Sequence, residues 1–373
     1  MIYLDNAATT RPDGECLKKA EQYLTEKYFN PSALYAEGYG LHKEIESAKS
    51  TILNCIGGDR DYSLIFTSCG TEADNHAIFC GGKRGNVVTT LGEHSAVFSA
   101  VNELKAKGIE IRFAELNCDG SVNIDSLLNL VDENTSLVSV IHVNNETGAL
   151  NDINSIAKAV KAKNSRALFH ADGVQAFGKI LYRLSANIDL YSVSAHKIGG
   201  VKGTGALIKR KNLAIKPFIY GGGQEEGLRS GTENVFGIKM LEFAAAKRYS
   251  NIENNFKYVQ KLKDAFLEEL DGNLFTRIEG YSPYICCLLA GGVRGEIILH
   301  EVNDKGLIIG TGSACSSNSK KRYSRVLLAC GISEEKADGA LRISFSPENT
   351  VDEVKEAAKI LNTTVAARRQ IME

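Results

Sequence analysis

Ser194-Ala195-His196-Lys197 closes the run Ile188-Asp189-Leu190-Tyr191-Ser192-Val193, and glycines follow at 199, 200, 203 and 205. An amine at the end of a strand, followed by residues without side chains, can reach into a site without carrying bulk there. Alone, Lys197 reads as one more solvated lysine; its neighbours change the reading. Upstream, Ala167-Leu168-Phe169-His170-Ala171-Asp172 is an apolar strand ending in an acid, with Gln175 three residues later. By itself Asp172 serves equally well as the cap of a helix or as the partner of a protonated ring nitrogen.

Together these residues suit pyridoxal phosphate. A carboxylate that keeps the pyridine nitrogen protonated makes the ring an electron sink, and Gln175 could donate to the ring's phenolic oxygen. Phe66-Thr67-Ser68-Cys69-Gly70-Thr71-Glu72 supplies a strand, a turn of small residues and the start of a helical pattern. Backbone donors at such a start, aided by a hydroxyl, suit a phosphate. Gly70 and Thr71 form that turn, and Thr71, Ser194 and His196 could share the phosphate oxygens. His94, after Gly92-Glu93, could stack on the ring or simply begin a helix. Gly310-Thr311-Gly312-Ser313-Ala314-Cys315-Ser316-Ser317-Asn318-Ser319 has the composition of a loop and holds one thiol. Without the cofactor residues Cys315 is an incidental loop cysteine; with them it is a thiolate able to approach a cofactor-bound substrate.

These residues need a scaffold that brings strand ends together. Apolar runs at 63–67, 86–90, 110–113, 137–143 and 167–170 alternate with helical stretches, such as 152–163 with Ile153, Ile156, Ala157 and Val160 at helical spacing. Such alternation predicts an α/β fold with a mainly parallel sheet covered on both faces, whose ligands bind beyond the carboxyl ends of the strands. After Gly221-Gly222-Gly223 and the segment to Gly237, new strand-like runs near Cys286 and Ile308 and a charged helix from Val351 to Ile371 suggest a smaller α+β domain. The expected division is 13–250 for the large cofactor-binding domain, and 1–12 plus 251–373 for the small domain with the Cys315 loop.

Composition narrows the class. The 373 residues are 43% hydrophobic and carry 44 Lys+Arg against 45 Asp+Glu, a net charge of -1. Nothing there attracts nucleic acid or an anionic membrane, so a small-molecule substrate is expected. No apolar run approaches the roughly 18 residues of a membrane span, and Met1-Ile2-Tyr3-Leu4-Asp5 is unlike a signal peptide, so a cytoplasmic protein is expected. The nine cysteines form no Cys-x-x-Cys pair, and the histidines are dispersed, so reduced thiols and no metal site are expected. Cys286 and Cys287 read as part of a buried strand.

The chain resembles the cysteine desulfurases of the NifS/IscS-like branch, within aminotransferase class V and the fold-type I pyridoxal-phosphate enzymes. The resemblance is carried by Tyr3-Leu4-Asp5-Asn6-Ala7-Ala8-Thr9-Thr10, Phe29-Asn30-Pro31-Ser32, Glu93-His94, His142-Val143-Asn144-Asn145-Glu146-Thr147-Gly148, His170-Ala171-Asp172 with Gln175, Ser194-Ala195-His196-Lys197 and Arg229-Ser230-Gly231-Thr232. It implies Lys197 as the lysine that carries pyridoxal 5'-phosphate, Asp172 on the ring nitrogen, Gln175 on the phenolic oxygen and His94 stacked on the ring. Thr71, Ser194 and His196 then hold the phosphate, with Thr232 reaching in from a second subunit of a homodimer. Asn145, and Arg342 in Leu341-Arg342-Ile343-Ser344, match the positions that bind the substrate carboxylate; unaided, Arg342 reads as a surface charge on a strand.

The reaction so implied converts L-cysteine to L-alanine. Lys197, released from the cofactor by the substrate amine, removes the α-proton; Cys315 takes the sulfur as a persulfide, with His94 as acid or base, and a sulfur-acceptor protein receives it. Two departures stand out: Cys69 occupies the phosphate turn where the family has glycine, and Lys320-Lys321-Arg322-Tyr323-Ser324-Arg325 is unusually basic. The sequence also ends soon after Ile371, without the longer tail of members that serve an iron-sulfur scaffold, which leaves the acceptor open. The rival readings are a selenocysteine lyase or a class V aminotransferase on the same fold, and, from another class, a degenerate scaffold subunit, against which the intact Lys197, Asp172, Gln175 and Arg342 speak.

Overall fold

The computed structural model describes residues 1–58, 60–311 and 322–372. Its strands are β1 Ile2–Tyr3, β2 Tyr62–Thr67, β3 Asn86–Thr90, β4 Glu110–Ala114, β5 Thr135–Ile141, β6 Leu168–Asp172, β7 Leu190–Ser194, β8 Gly205–Arg210, β9 Phe275–Ile278, β10 Ile285–Ala290, β11 Leu307–Ile308 and β12 Ala340–Ser344. Seven of them form one sheet in the order β2-β8-β7-β6-β5-β3-β4. All run the same way except β8, which is antiparallel to both neighbours.

The strands are apolar throughout because both faces are covered. Alternation still sorts their residues. Val88, Val138, Phe169, Tyr191 and Ile208 join the large core under the helices Ala36–Cys55 and Val235–Ser250. Their neighbours Val87 and Leu137 pack in a cluster with Val97, Val101 and Leu104 from the helix Ser95–Ala106, while Leu190 and Leu207 pack with Ala73 and Ala77 from the helix Gly70–Gly81. The helix Ile153–Lys163 buries Ile153, Ile156, Ala157 and Val160 as its spacing predicts, and the Asp152 side chain caps it by accepting from the Ser155 N–H.

The glycines after Lys197 turn out to serve packing as well as reach. Gly205 opens β8, and a Cβ there would lie 2.6 Å from the carbonyl carbon of Cys69, so only glycine lets this strand pass behind the phosphate turn.

A second layer holds the antiparallel sheet β12-β10-β9, with Cys287 opposite both Arg342 and Ile278. Helices Ile252–Glu269, Gly295–Asp304 and Val351–Met372 cover it around a second apolar cluster that includes Leu288, Phe266, Val302 and Leu361. The amino terminus belongs to this layer: β1 pairs in parallel with β11, and the Ser344 N–H donates to the Leu4 carbonyl at 2.7 Å. Beyond it the chain crosses to the large sheet, where the Thr10 N–H meets the His196 carbonyl at 2.8 Å.

Candidate active site

Parallel strands that end on one edge deliver their following turns to one place. Here the turns after β2, β3, β5, β6 and β7, together with the amino-terminal crossing and Arg342 of β12, enclose a cavity of about 250 Å³. It brings together Lys197, His94, Asp172, Gln175, Gly70, Thr71, Ser194, His196, Asn145 and Arg342. Thr232 is exposed and lies outside the lining of its own chain's cavity. Cys315 lies outside the described residues.

Lys197 sits on one turn of 3-10 helix, Ala195–Lys197, that continues β7. Its Nζ donates to the carbonyls of Ala7 and Ala8, each at 2.7 Å. The crossing segment is held there by Thr10, whose hydroxyl donates to the His196 carbonyl at 2.9 Å and accepts from the Gly199 N–H at 2.8 Å.

Asp172 ends β6: one carboxylate oxygen accepts from the Val174 N–H at 2.9 Å, in a turn rather than at the start of a helix, and the residue lines the cavity. Burial raises its pKa, against the lowering pull of that N–H and of the Lys197 charge. A bound cation, such as a protonated ring nitrogen, would hold it ionised. Asp74, on the inner face of the helix Gly70–Gly81, is a second buried acid in the same wall. Burial and the nearby Asp172 raise its pKa strongly. Its Oδ1 lies 3.6 Å from His170 Nε2, and its ligand atoms lie within 4.8 Å of those of His94 and Asp172. The sequence reading missed Asp74; an acid four residues into a helix, beside the small apolar Ala73 and Ala77 that share its buried face, was the available signal.

The turn expected to hold a phosphate opens the helix Gly70–Gly81 with donors exposed to the cavity. The helix Gly70–Gly81 begins without a side-chain cap, leaving first-turn N–H groups for an anion. Gly70 permits the close approach, since a Cβ there would lie 2.7 Å from Val174 Cγ2 and 3.3 Å from Ser194 Cβ. Ser194 Oγ is buried beside it with no hydrogen-bond partner among the described residues.

His94 caps the helix Ser95–Ala106 by accepting the Ala96 N–H on Nδ1 at 3.2 Å. Burial, then the charges of Lys197, Arg325 and Arg342, push its pKa down to about 4, so the neutral ring carries its proton on Nε2. His94 thus begins its helix and also lines the cavity.

Arg342 corrects the surface reading its position in a strand suggests: it is 2% exposed. Its guanidinium donates to Asp5 Oδ1 at 2.9 Å and to the Asn145 carbonyl at 3.1 Å, and its Nε has no partner among the described residues. Two buried donors thus await acceptors, one at the phosphate turn and one beside Asn145. A buried unpaired donor costs about 1–3 kcal/mol, and anions at both places relieve it. The residues fit a phosphate-bearing cofactor and an amino-acid carboxylate.

The described flanks of the Cys315 segment contact residues that line this cavity or adjoin those that do. Gly310 pairs with Arg342 through backbone bonds of 3.0 and 2.7 Å. On the far side the Ser324 hydroxyl donates to Glu146 at 2.5 Å, and Arg325 donates to the carbonyls of Leu91 and Glu93, next to His94.

Residues 2–356 match the family described as aminotransferase class-V. The chain is 34% identical to a cysteine desulfurase of Nostoc sp., across all of this chain and 94% of that one. A solved NifS-like protein superposes with a TM-score of 0.91 at 32% identity, covering 98% of this chain and 99% of the other. SspA, solved in complex with cysteine, superposes with a TM-score of 0.80 at 27% identity, over 94% and 100% of the two chains.

Proposed function

We propose, from the premise that the chain belongs to the aminotransferase class-V family and is a pyridoxal-phosphate-dependent cysteine desulfurase, that the Lys197 cavity is its active site and that Cys315 receives the sulfur. The observation that carries this reading is the meeting, in one cavity of about 250 Å³, of a lysine, a buried carboxylate and two unpaired donors suited to anions.

Lys197 would hold pyridoxal 5'-phosphate, with Asp172 at the ring nitrogen, Gln175 at the phenolic oxygen, His94 against the ring, and Gly70, Thr71, Ser194 and His196 at the phosphate. Bound there, the cofactor supplies the electron sink that acidifies the α-proton of an attached amino acid. Arg342 and Asn145 bind the carboxylate of L-cysteine. Arg342 Nε has no partner among the described residues, so substrate adds a partner without first displacing one on that atom. Lys197 accepts the α-proton as a free amine. His94, neutral with Nδ1 held on the Ala96 N–H, keeps its proton on Nε2 and offers it as a hydrogen-bond donor within the cavity.

The Cys315 thiolate attacks the substrate sulfur. A sulfur-sulfur bond forms, the Cβ–S bond breaks, and Cβ takes a proton, so cysteine and thiol become alanine and enzyme persulfide. Both described flanks of the Cys315 segment abut the substrate end of the site, at Arg342 and beside His94, which supports this assignment. A sulfur-acceptor protein then takes the terminal sulfur, in iron-sulfur or thio-cofactor synthesis.

A homodimer completes the site by bringing in Thr232. Support comes from exposed Tyr28, Leu34, Tyr35 and Tyr39, with Tyr28 and Tyr35 both packed on Phe29, a patch that water disfavours. Residues 13–250 and residues 1–12 plus 251–373 are the two domains of this reading; in support, the second apolar cluster is built mainly from Leu4, Ala7 and residues beyond 251, with Val143, Ala176 and Ile180 of the large domain completing it where the two pack. No helix among the described residues is long and apolar enough to cross a membrane, and we place the protein in the cytoplasm.

The test compares the wild type with Cys315→Ser, both cofactor-loaded, for alanine and sulfide formed from L-cysteine with reductant. Alanine and sulfide from the wild type alone support the persulfide route. Equal activity in both would transfer the reading to a lyase that releases sulfur directly.

A further inference from the structure

Gln175 is held at both ends. Its Nε2 donates to the Ala7 carbonyl at 2.9 Å, the same oxygen that accepts from Lys197 Nζ at 2.7 Å. Its Oε1 accepts from Lys179 Nζ at 2.7 Å. A carbonyl can only accept, so the Ala7 contact makes Nε2 the nitrogen, and the amide oxygen must face Lys179. One Nε2 hydrogen is used on Ala7, and the other remains for the cavity that Gln175 lines.

Lys179 is an unusual residue to find here. It is 6% exposed, and among the described residues no carboxylate pairs with it and Gln175 Oε1 is the acceptor of its amine. Burial lowers its pKa strongly, with further lowering from the charges of Lys197, Arg248 and Arg342. Its other contact is the face of the Tyr284 ring, 5.8 Å from the amine, and a buried amine with one amide acceptor and one ring costs more than a methionine of the same length, so packing alone does not explain it. The turn that follows β6 explains the pairing: Lys179 lies four residues after Gln175 in a stretch of helical bonds, with the Phe177 N–H on Gly173 and the Ile180 N–H on Ala176, and residues so spaced share one face.

The geometry points to Lys179 as a positioning residue, which locks the Gln175 amide so that a nitrogen-bound hydrogen faces the phenolic oxygen of the cofactor. It touches neither substrate nor cofactor and acts through Gln175 alone. The inference rests on the role given to Gln175 above.

The readout is the midpoint, on a pH titration, of the visible absorbance of the bound cofactor. A donor lost from an anionic phenolic oxygen makes the proton shared there harder to remove, so the midpoint moves up. Gln175→Leu is expected to raise it by roughly half a pH unit or more, the size of one neutral hydrogen bond. Lys179→Met should raise it in the same direction while the protein keeps its melting temperature. The double variant should match Gln175→Leu, because a residue acting through Gln175 adds nothing once Gln175 is gone. Lys179→Leu, which also removes the donor, makes the same comparison if methionine is not accommodated. An unmoved midpoint in the Lys179 variants, beside a moved one in Gln175→Leu, overturns the inference. A shift from Lys179→Met that persists in full in the double variant also overturns it, by showing a direct effect of the Lys179 charge. If Gln175→Leu itself leaves the midpoint unchanged, the role of Gln175 fails instead, and the Lys179 inference falls with it.

Discussion

Single residues in this site are tuned by burial more than by ion pairs. Arg342 shows the consequence for binding: its planar fork reaches Asp5 and the Asn145 carbonyl at once and still has Nε to offer. A lysine there keeps the charge and loses the geometry. Arg342→Lys should raise KM for cysteine by about tenfold or more and lower kcat by much less, since the clamp holds substrate and transition state alike; steady-state alanine production measures both. Glu146 shows the consequence for stability. Burial raises its pKa to about 7 against the lowering effects of the Ser324 hydroxyl, Arg342 and Arg325. A raised carboxyl binds its proton in the folded state between pH 4.5 and 7, where the unfolded chain has lost it, so stability falls as pH rises through that window. Glu146→Gln removes the ionisation and retains an acceptor for Ser324. Its melting temperature should exceed the wild type's by about 3 °C or more at pH 8 and match it within about 1 °C at pH 4.

At the scale of the element, the turn after β6 carries the most chemistry per residue, and its glycine is what makes it possible. A Cβ on Gly173 would lie 1.9 Å from Tyr191 Cζ and 2.2 Å from its hydroxyl. That phenol meets His142 Nδ1 at 3.0 Å, so it cannot swing aside without breaking a buried hydrogen bond. Gly173→Ala should therefore displace Asp172 and Gln175 together, destabilise the fold by about 2 kcal/mol or more, and abolish the visible absorbance of the bound cofactor; thermal melts and a spectrum check both. Strands β2 to β7 were legible, because apolar runs of the right length bounded by polar turns have few other uses; β8 itself was not read from the sequence. Its opening glycines look like flexibility in a sequence, and only the backbone of Cys69 packed against Gly205 shows that they mark close contact.

At the scale of the whole molecule, the amino-terminal crossing binds the two layers to one site. Residues 5–10 leave β1 beside β11 and β12, then pass over Lys197, whose amine rests on Ala7 and Ala8. Asp5 on that crossing also holds Arg342, so one short segment fixes both Arg342 and Lys197, the residues proposed for the substrate and the cofactor. A second subunit is the remaining piece of the proposed site. If Thr232 serves the partner's site, then Thr232→Ala and Lys197→Ala, each impaired alone, should regain activity when their subunits are mixed and exchanged, since each mixed dimer contains one site with both native residues. Activity no greater than the sum of the parents would place Thr232 in its own chain's site or outside catalysis.

The chain's order alone determined the strands that end in Asp172, Ser194 and Thr67, the lysine after them and the glycine turn for phosphate. These are local signals, in which a residue's type and its position at the end of a run specify its use. Tertiary structure alone decided which charges are buried. Arg342 left the surface because β12 packs under the amino-terminal crossing, Asp74 faces the cavity because its helix starts hard against Ser194, and Lys179 became a partner of Gln175 because one turn stacks them. Each of these depends on segments far apart in sequence, or on a turn whose geometry is set by them, and burial is a property that no single segment carries.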